Sequence, residues 1–274
     1  MTTALVLGGG GVAGIAWEAG ILTGLRRLGV DLGTADRVIG TSAGSVVGTL
    51  VATGADLEEV IAHQIAVDTG PPPAVDTDEV AQVFAVIFDP TLERREARRR
   101  VGQMALAARM DHQAERLAAV GERLPVKEWP ERELLITTVD ATTGEFVVWD
   151  RAAGVPLVLA VASSCAVPMV YPPVEINGRR YVDGGVRSAT NADLAAGART
   201  LVVLEPLGNM TPRAVLDAEL REAGPAASYV VHPDPASIAV FGANVLDPGL
   251  WGPAFKAGLD QAAVLADPIA AVWS

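Results

Sequence analysis

Two short apolar runs constrain the fold of this chain more than any other feature. Each is closed by glycine and followed at once by a helical pattern. The first is LVLGGGGVAG, Leu5 to Gly14; the second is Arg37–Ile39, which runs into Gly40-Thr41-Ser42-Ala43-Gly44. A short, β-branched apolar run that ends in glycine reads as a buried strand. After the first, Ile15, Ala19, Leu22, Leu25 and Leu28 share one face of a helix over Ile15–Leu28. After the second, Ala43–Thr53 is helical in pattern. The chain therefore opens with two strand-to-helix turns built from small residues.

The same alternation continues. Asp56–Val67 reads as a helix, and Thr69–Glu79 is a proline-rich break with Thr77 or Asp78 as the cap of the next helix. Leu92–Glu122 is helical in composition and rich in arginine, with Val101, Met104, Ala105 and Ala108 as a buried stripe. Leu134–Val139, Phe146–Trp149, Arg180–Val182, Leu201–Leu204 and Tyr229–Val231 read as strands. Arg213–Glu222 and Ala254–Leu265 read as helices, while Pro156–Ala162 is apolar but ambiguous. Alternating elements with continuous apolar strands predict an α/β fold: a mainly parallel sheet with helices on both faces. The 274 residues suit one domain over 1–274, with a helical insertion or lid at about 73–125.

Charge excludes one class of partner. The net charge of -12 argues against nucleic acid, whose phosphates need a basic face. Arg94, Arg95, Arg98, Arg99 and Arg100 form a local exception. They read either as a face for anionic headgroups or as a solvated helix face paired with Glu93 and Glu96. The single cysteine, Cys165, excludes an intramolecular disulfide, and no Cys/His cluster has metal-ligand spacing. The longest apolar run, Gly154–Ala162, is too short to span a bilayer. The N-terminus lacks a leader's charged region. A cytoplasmic location is expected.

Gly40-Thr41-Ser42-Ala43-Gly44 has the form G-x-S-x-G between a strand and a helix, where a nucleophilic serine sits on a strained turn. The glycine run before it is open to two readings. Gly9-x-Gly11-x-x-Gly14, with Asp31 further on, has the form of a dinucleotide fingerprint. The same glycines can instead supply backbone N–H groups to an oxyanion, each worth about 2.7–4 kcal/mol in the transition state. That second reading explains both glycine motifs with one site. The base for Ser42 is open too. His232, after a buried strand, would complete a triad with Asp183; Asp183, at a strand end before two glycines, can act alone if burial raises its proton affinity. His63 and His112 lie in polar helical stretches.

Taken together, the glycine loop, the G-x-S-x-G turn and the distal Asp183-Gly184-Gly185 resemble the patatin-like phospholipase family. SCAVPMVYPPV (Ser164–Val174) and VDGGVRSATNADLA (Val182–Ala195) extend the resemblance. It implies a three-layer α/β/α sandwich and hydrolysis of an acyl ester in a lipid by a Ser–Asp dyad without histidine. Ser42 would be the nucleophile and Asp183 the base. Gly9, Gly10 and Gly11 would hold the oxyanion, aided by the N–H of Ala43. It implies no cofactor and no metal, a lipid or acyl-ester substrate, and peripheral contact with a membrane. A catalytically inactive lipid-binding chain is the remaining alternative. One departure bears on substrate. The family usually carries Arg or Lys just before the last glycine of its loop, and here Ala13 stands there. Phospholipids and neutral esters both remain open, and Arg187 is a candidate substitute cation.

Overall fold

In β1 (Thr3–Leu7), alternate side chains enter two different cores, which is why its sequence is apolar without a break. Leu5 and Leu7 pack in one cluster with residues of the first, second and last helices; Ala4 and Val6 pack in another with Leu216 and Ala223. The computed structural model describes residues 2–108 and 113–273. From the N-terminus they form α1 (Gly11–Arg27), β2 (Arg37–Gly40), α2 (Ala43–Thr53), α3 (Leu57–Val67), α4 (Thr77–Ile87), α5 (Arg94–Ala107) and α6 (Gln113–Glu122). Then come β3 (Glu133–Asp140), β4 (Phe146–Trp149), α7 (Leu157–Ser164), β5 (Val174–Ile176), β6 (Arg179–Asp183) and β7 (Thr200–Leu204). The chain closes with α8 (Arg213–Ala223), β8 (Ala227–Val231), α9 (Pro235–Phe241) and α10 (Trp251–Trp273).

The sheet order is β5-β6-β3-β2-β1-β7-β8, with β4 paired to β3. The five strands β3, β2, β1, β7 and β8 are parallel neighbours. β4 and β6 join β3 antiparallel, and β5 joins β6 antiparallel. Helices cover both faces, so the architecture is the expected α/β/α sandwich with a mainly parallel centre.

β3 is longer than its neighbour β2. Its first half pairs with β2 as far as Ile136↔Gly40, and its second half pairs with β6, Thr138↔Asp183. Asp183 is thereby carried past the carboxyl end of β2, where the chain turns into Ser42.

Several local expectations are corrected. In place of one helix over Leu92–Glu122 there are α5, which ends at Ala107, and α6. Pro156–Ala162 resolves as α7, and α4 is capped by Asp76 rather than Thr77 or Asp78. β5 and α9 are too short for their sequences to show a period. Val83, Val101 and Ala105 of α4 and α5 pack on Val139, Ala141 and Val182, while Val120 of α6 joins the main core. Among the described residues no helix is long and apolar enough to cross a membrane.

Candidate active site

Ser42 has φ 53° and ψ -117°, a conformation that few non-glycine residues adopt. Strain of this kind costs on the order of 1–3 kcal/mol and persists only where the surroundings hold it. Here they do. The N–H of Ser42 donates to Ser164 Oγ at 2.9 Å, and its carbonyl accepts from Ser45 Oγ at 2.6 Å and Cys165 Sγ at 3.3 Å. The flanking glycines are steric requirements. A Cβ on Gly44 would enter the Leu7 carbonyl, and one on Gly40 would fall 2.6 Å from Ser45 Cα. The turn projects Ser42 beyond the sheet at the N-terminus of α2, whose dipole favours negative charge there.

Asp183 is 5% exposed. Its Oδ1 accepts from the Gly185 N–H at 2.7 Å, while Oδ2 is enclosed and lacks a well-formed hydrogen bond. Burial pushes the carboxyl up to about 6, against the opposite pull of the Ser42 hydroxyl, the Gly185 N–H and the Arg116 guanidinium. The structure thus brings Ser42 and Asp183 together. The Ser42 hydroxyl is near enough to lower the carboxyl's proton affinity, without a well-formed hydrogen bond between the two.

Asn191 braces this arrangement from a left-handed backbone position, φ 53°. Its Nδ2 donates to Thr41 Oγ1 at 3.0 Å and to Ser188 O at 2.8 Å, and its Oδ1 accepts from Arg187. It therefore ties the residue before Ser42 to the loop after Asp183.

The glycine loop needs one correction. The N–H of Gly9 donates to Ala189 O at 2.8 Å and is not available to an oxyanion. Among the described residues none accepts a hydrogen bond from the N–H of Gly10, Gly11 or Ala43. A Cβ on Gly9 would meet Ser42 Cβ at 3.5 Å, an ordinary contact, so Gly9 lies directly beside the serine. Gly11 has φ 61°, and a Cβ on it would lie 2.7 Å from both Leu246 Cδ2 and Val245 O.

Other candidates fall elsewhere. Asp31 precedes β2 at the opposite end of the sheet from the glycine loop, and its carboxylate accepts from the Gly33 N–H in a local turn. His232 follows β8, three strands from β2, about 14 Å away at ordinary strand spacing. Its Nε2 accepts from Arg213 at 2.6 Å and its Nδ1 lies 3.1 Å from Glu205; burial and then Arg213 push its pKa down. None of its described contacts is with Ser42 or Asp183. His63 is exposed on α3, and His112 lies outside the described residues. Arg187 is held by Asp193 at 2.6 Å and lies over the Phe146 ring, so it does not substitute for Ala13.

The sequence reading missed Arg116 and Arg123. Both line a cavity of about 20 Å³ with Ser42, Ala43, Gly11, Cys165 and Tyr171. Nothing in their local pattern marked them, because they reach Ser42 only through the fold.

The family profile of patatin-like phospholipases matches residues 5–196. No curated protein sequence matches significantly. Among solved structures, VipD from Legionella pneumophila is similar at 14% identity and TM-score 0.47, over 97% of this chain and 66% of that one. The type III effector protein ExoU is similar at 14% identity and TM-score 0.36, over 95% of this chain and 53% of that one. The chain thus spans less than two thirds of either protein's length. Because the family match extends over most of the sequence and includes both the serine turn and Asp183, the chain belongs to the patatin-like phospholipase family.

Proposed function

We propose that the chain cleaves acyl esters of lipids with Ser42 as nucleophile and Asp183 as its only base. The observation that carries this reading is the enclosed, unpaired Oδ2 of a carboxylate raised to about 6, beside a serine on a strained turn. Asp183 takes the hydroxyl proton as Ser42 Oγ attacks the acyl carbonyl. The N–H groups of Gly10, Gly11 and Ala43 hold the oxyanion. The tetrahedral intermediate collapses, Asp183 returns the proton to the leaving alkoxide, and Ser42 is left acylated. Asp183 then deprotonates a water that attacks the acyl carbonyl. The fatty acid leaves and Ser42 regains its proton.

We also read residues 1–274 as one domain whose segment 73–125 is an inserted lid. The burial of Ser42 beside α6 supports this. Ser42 is 7% exposed, and the cavity beside it has room for about one water and not for an acyl chain.

The test is covalent. A fluorophosphonate should add one equivalent of mass, on the peptide containing Ser42. Ser42→Ala should abolish labelling and hydrolysis of a p-nitrophenyl ester, Asp183→Asn should abolish hydrolysis, and His232→Ala should retain it. Full hydrolysis by Ser42→Ala would end the proposal, and loss in His232→Ala would restore the triad.

A further inference from the structure

We propose that Arg116, backed by Arg123, is a subsite for a phosphate carried by the substrate lipid next to the ester that is cut. The inference rests on Ser42 being the nucleophile.

The wall of the Ser42 cavity formed by α1 is uncharged: Gly11, Val12 and Ile15. The cations of the lining come from another element, Arg116 on α6 and Arg123 just beyond it. Arg116 differs from most arginines of the chain. Arg37, Arg99, Arg100, Arg179 and Arg187 each meet a carboxylate. Among the described residues no carboxylate forms an ion pair with Arg116, and its Nε is enclosed without a hydrogen-bond partner. Its guanidinium instead lies over the Tyr171 ring, 3.7 Å from the centroid. Stacking fixes the plane of the fork and leaves its N–H groups without an acceptor. Arg123 is tethered, by Asp68 Oδ2 at 3.1 Å and by the Trp251 ring at 5.5 Å.

Arg116 feels the Asp183 carboxylate but forms no ion pair with it, so burial still weighs against its charge and an anionic ligand in direct contact offsets that cost. The fork of arginine suits a phosphate, which can accept two parallel hydrogen bonds. A product carboxylate fits the position less well. Its carbon is the one attacked by Ser42, so its oxygens belong at the Gly10, Gly11 and Ala43 N–H groups. Arg116 lines the same cavity as Ser42, Gly11 and Ala43, so it is placed to meet a phosphate joined to the ester through glycerol.

The experiment compares kcat/KM for a lysophospholipid and for a monoacylglycerol with the same acyl chain. Arg116→Gln should lower the ratio of the two about ten- to hundredfold, mainly through KM, because a hydrogen bond to a charged group is lost. Arg116→Lys should recover part of it, and the exposed Arg94→Gln should leave the ratio alone. A binding arm separates this proposal from the catalytic one. Glycerol phosphate should quench tryptophan fluorescence saturably in the Ser42→Ala chain and fail to do so once Arg116→Gln is added. That result supports the subsite even if no ester is hydrolysed. Equal binding of inorganic phosphate would reassign the site to a free anion and overturn the lipid assignment. An unchanged substrate ratio in Arg116→Gln would overturn the subsite itself.

Discussion

Asp183 is the residue at which function and stability pull apart. A base must be ionised, so hydrolysis of a neutral ester should fall about tenfold per pH unit below about pH 6 and level off above it. Stability runs the other way. The folded carboxyl holds its proton more tightly than an unfolded one, so the fold loses stability as pH rises from about 4 to about 6. At neutral pH the loss amounts to about 3 kcal/mol. Asp183→Asn should therefore melt several degrees higher at neutral pH while losing activity, and the gain should vanish near pH 4; differential scanning calorimetry at both values checks this. Asn191 makes a complementary case. It touches neither Ser42 Oγ nor Asp183 directly, yet it links Thr41 to the Asp183 loop. Asn191→Ala should reduce kcat at least tenfold with little change in KM, since a small misplacement of reacting groups is expensive.

At the scale of elements, three contacts matter. The first is the meeting of β1, β2 and α2, where Gly40 and Gly44 let the serine turn sit on the Leu7 carbonyl. The second is α1 against α10, where glycines remove the side chains between two backbones. A Cβ on Gly258 would enter the Trp17 carbonyl, and one on Gly20 the Phe255 carbonyl. Gly258→Ala should cost about 1–3 kcal/mol, measured by urea denaturation, because backbone must move to admit one methyl. The third is the inserted segment. Much of the arginine run on α5 is engaged with protein rather than free for headgroups. Arg95 and Arg98 donate to the carbonyls of Thr143 and Gly144, and Glu96 pairs with Arg99 and Arg100. That docks α5 on the β3–β4 turn, while α6, which carries Arg116, is the part of the proposed lid that lines the Ser42 cavity. Amide hydrogen exchange in α6 should quicken when a long-chain phosphonate occupies Ser42, and unchanged exchange would count against the lid.

For the whole molecule the dominant property is its charge of -12. Attraction between the enclosed Arg116 and a single headgroup is local, while repulsion between the acidic chain and an anionic bilayer is long-ranged and screened by salt. Hydrolysis of anionic vesicles should therefore rise as salt is added, and a fall would show that a basic surface governs docking. The C-terminal end is joined to this body through Gln261. Its Oε1 accepts from Trp17 Nε1 at 3.0 Å and Ser237 Oγ at 3.1 Å, and its Nε2 donates to His232 O at 2.7 Å. One amide thus links α10 to α1, α9 and the end of β8, and holds His232 within a structural network.

What the sequence determined by itself was local. The strand-to-helix turns at Gly9–Gly11 and Ser42, the alternating strands and helices, and the carboxylate before two glycines are readable because each is a steric or periodic requirement within a few residues. The tertiary structure alone decided which of those groups are free to act. Gly9 and Gly10 look alike in LVLGGGGVAG, but the Gly9 N–H is claimed by Ala189, far away in sequence. Nothing beside Arg116 in the chain announces that it will face Ser42. A hydrogen-bond partner or a counter-ion supplied from a distant segment leaves no periodic mark, so the availability of an N–H or a cation exists only after the chain has packed.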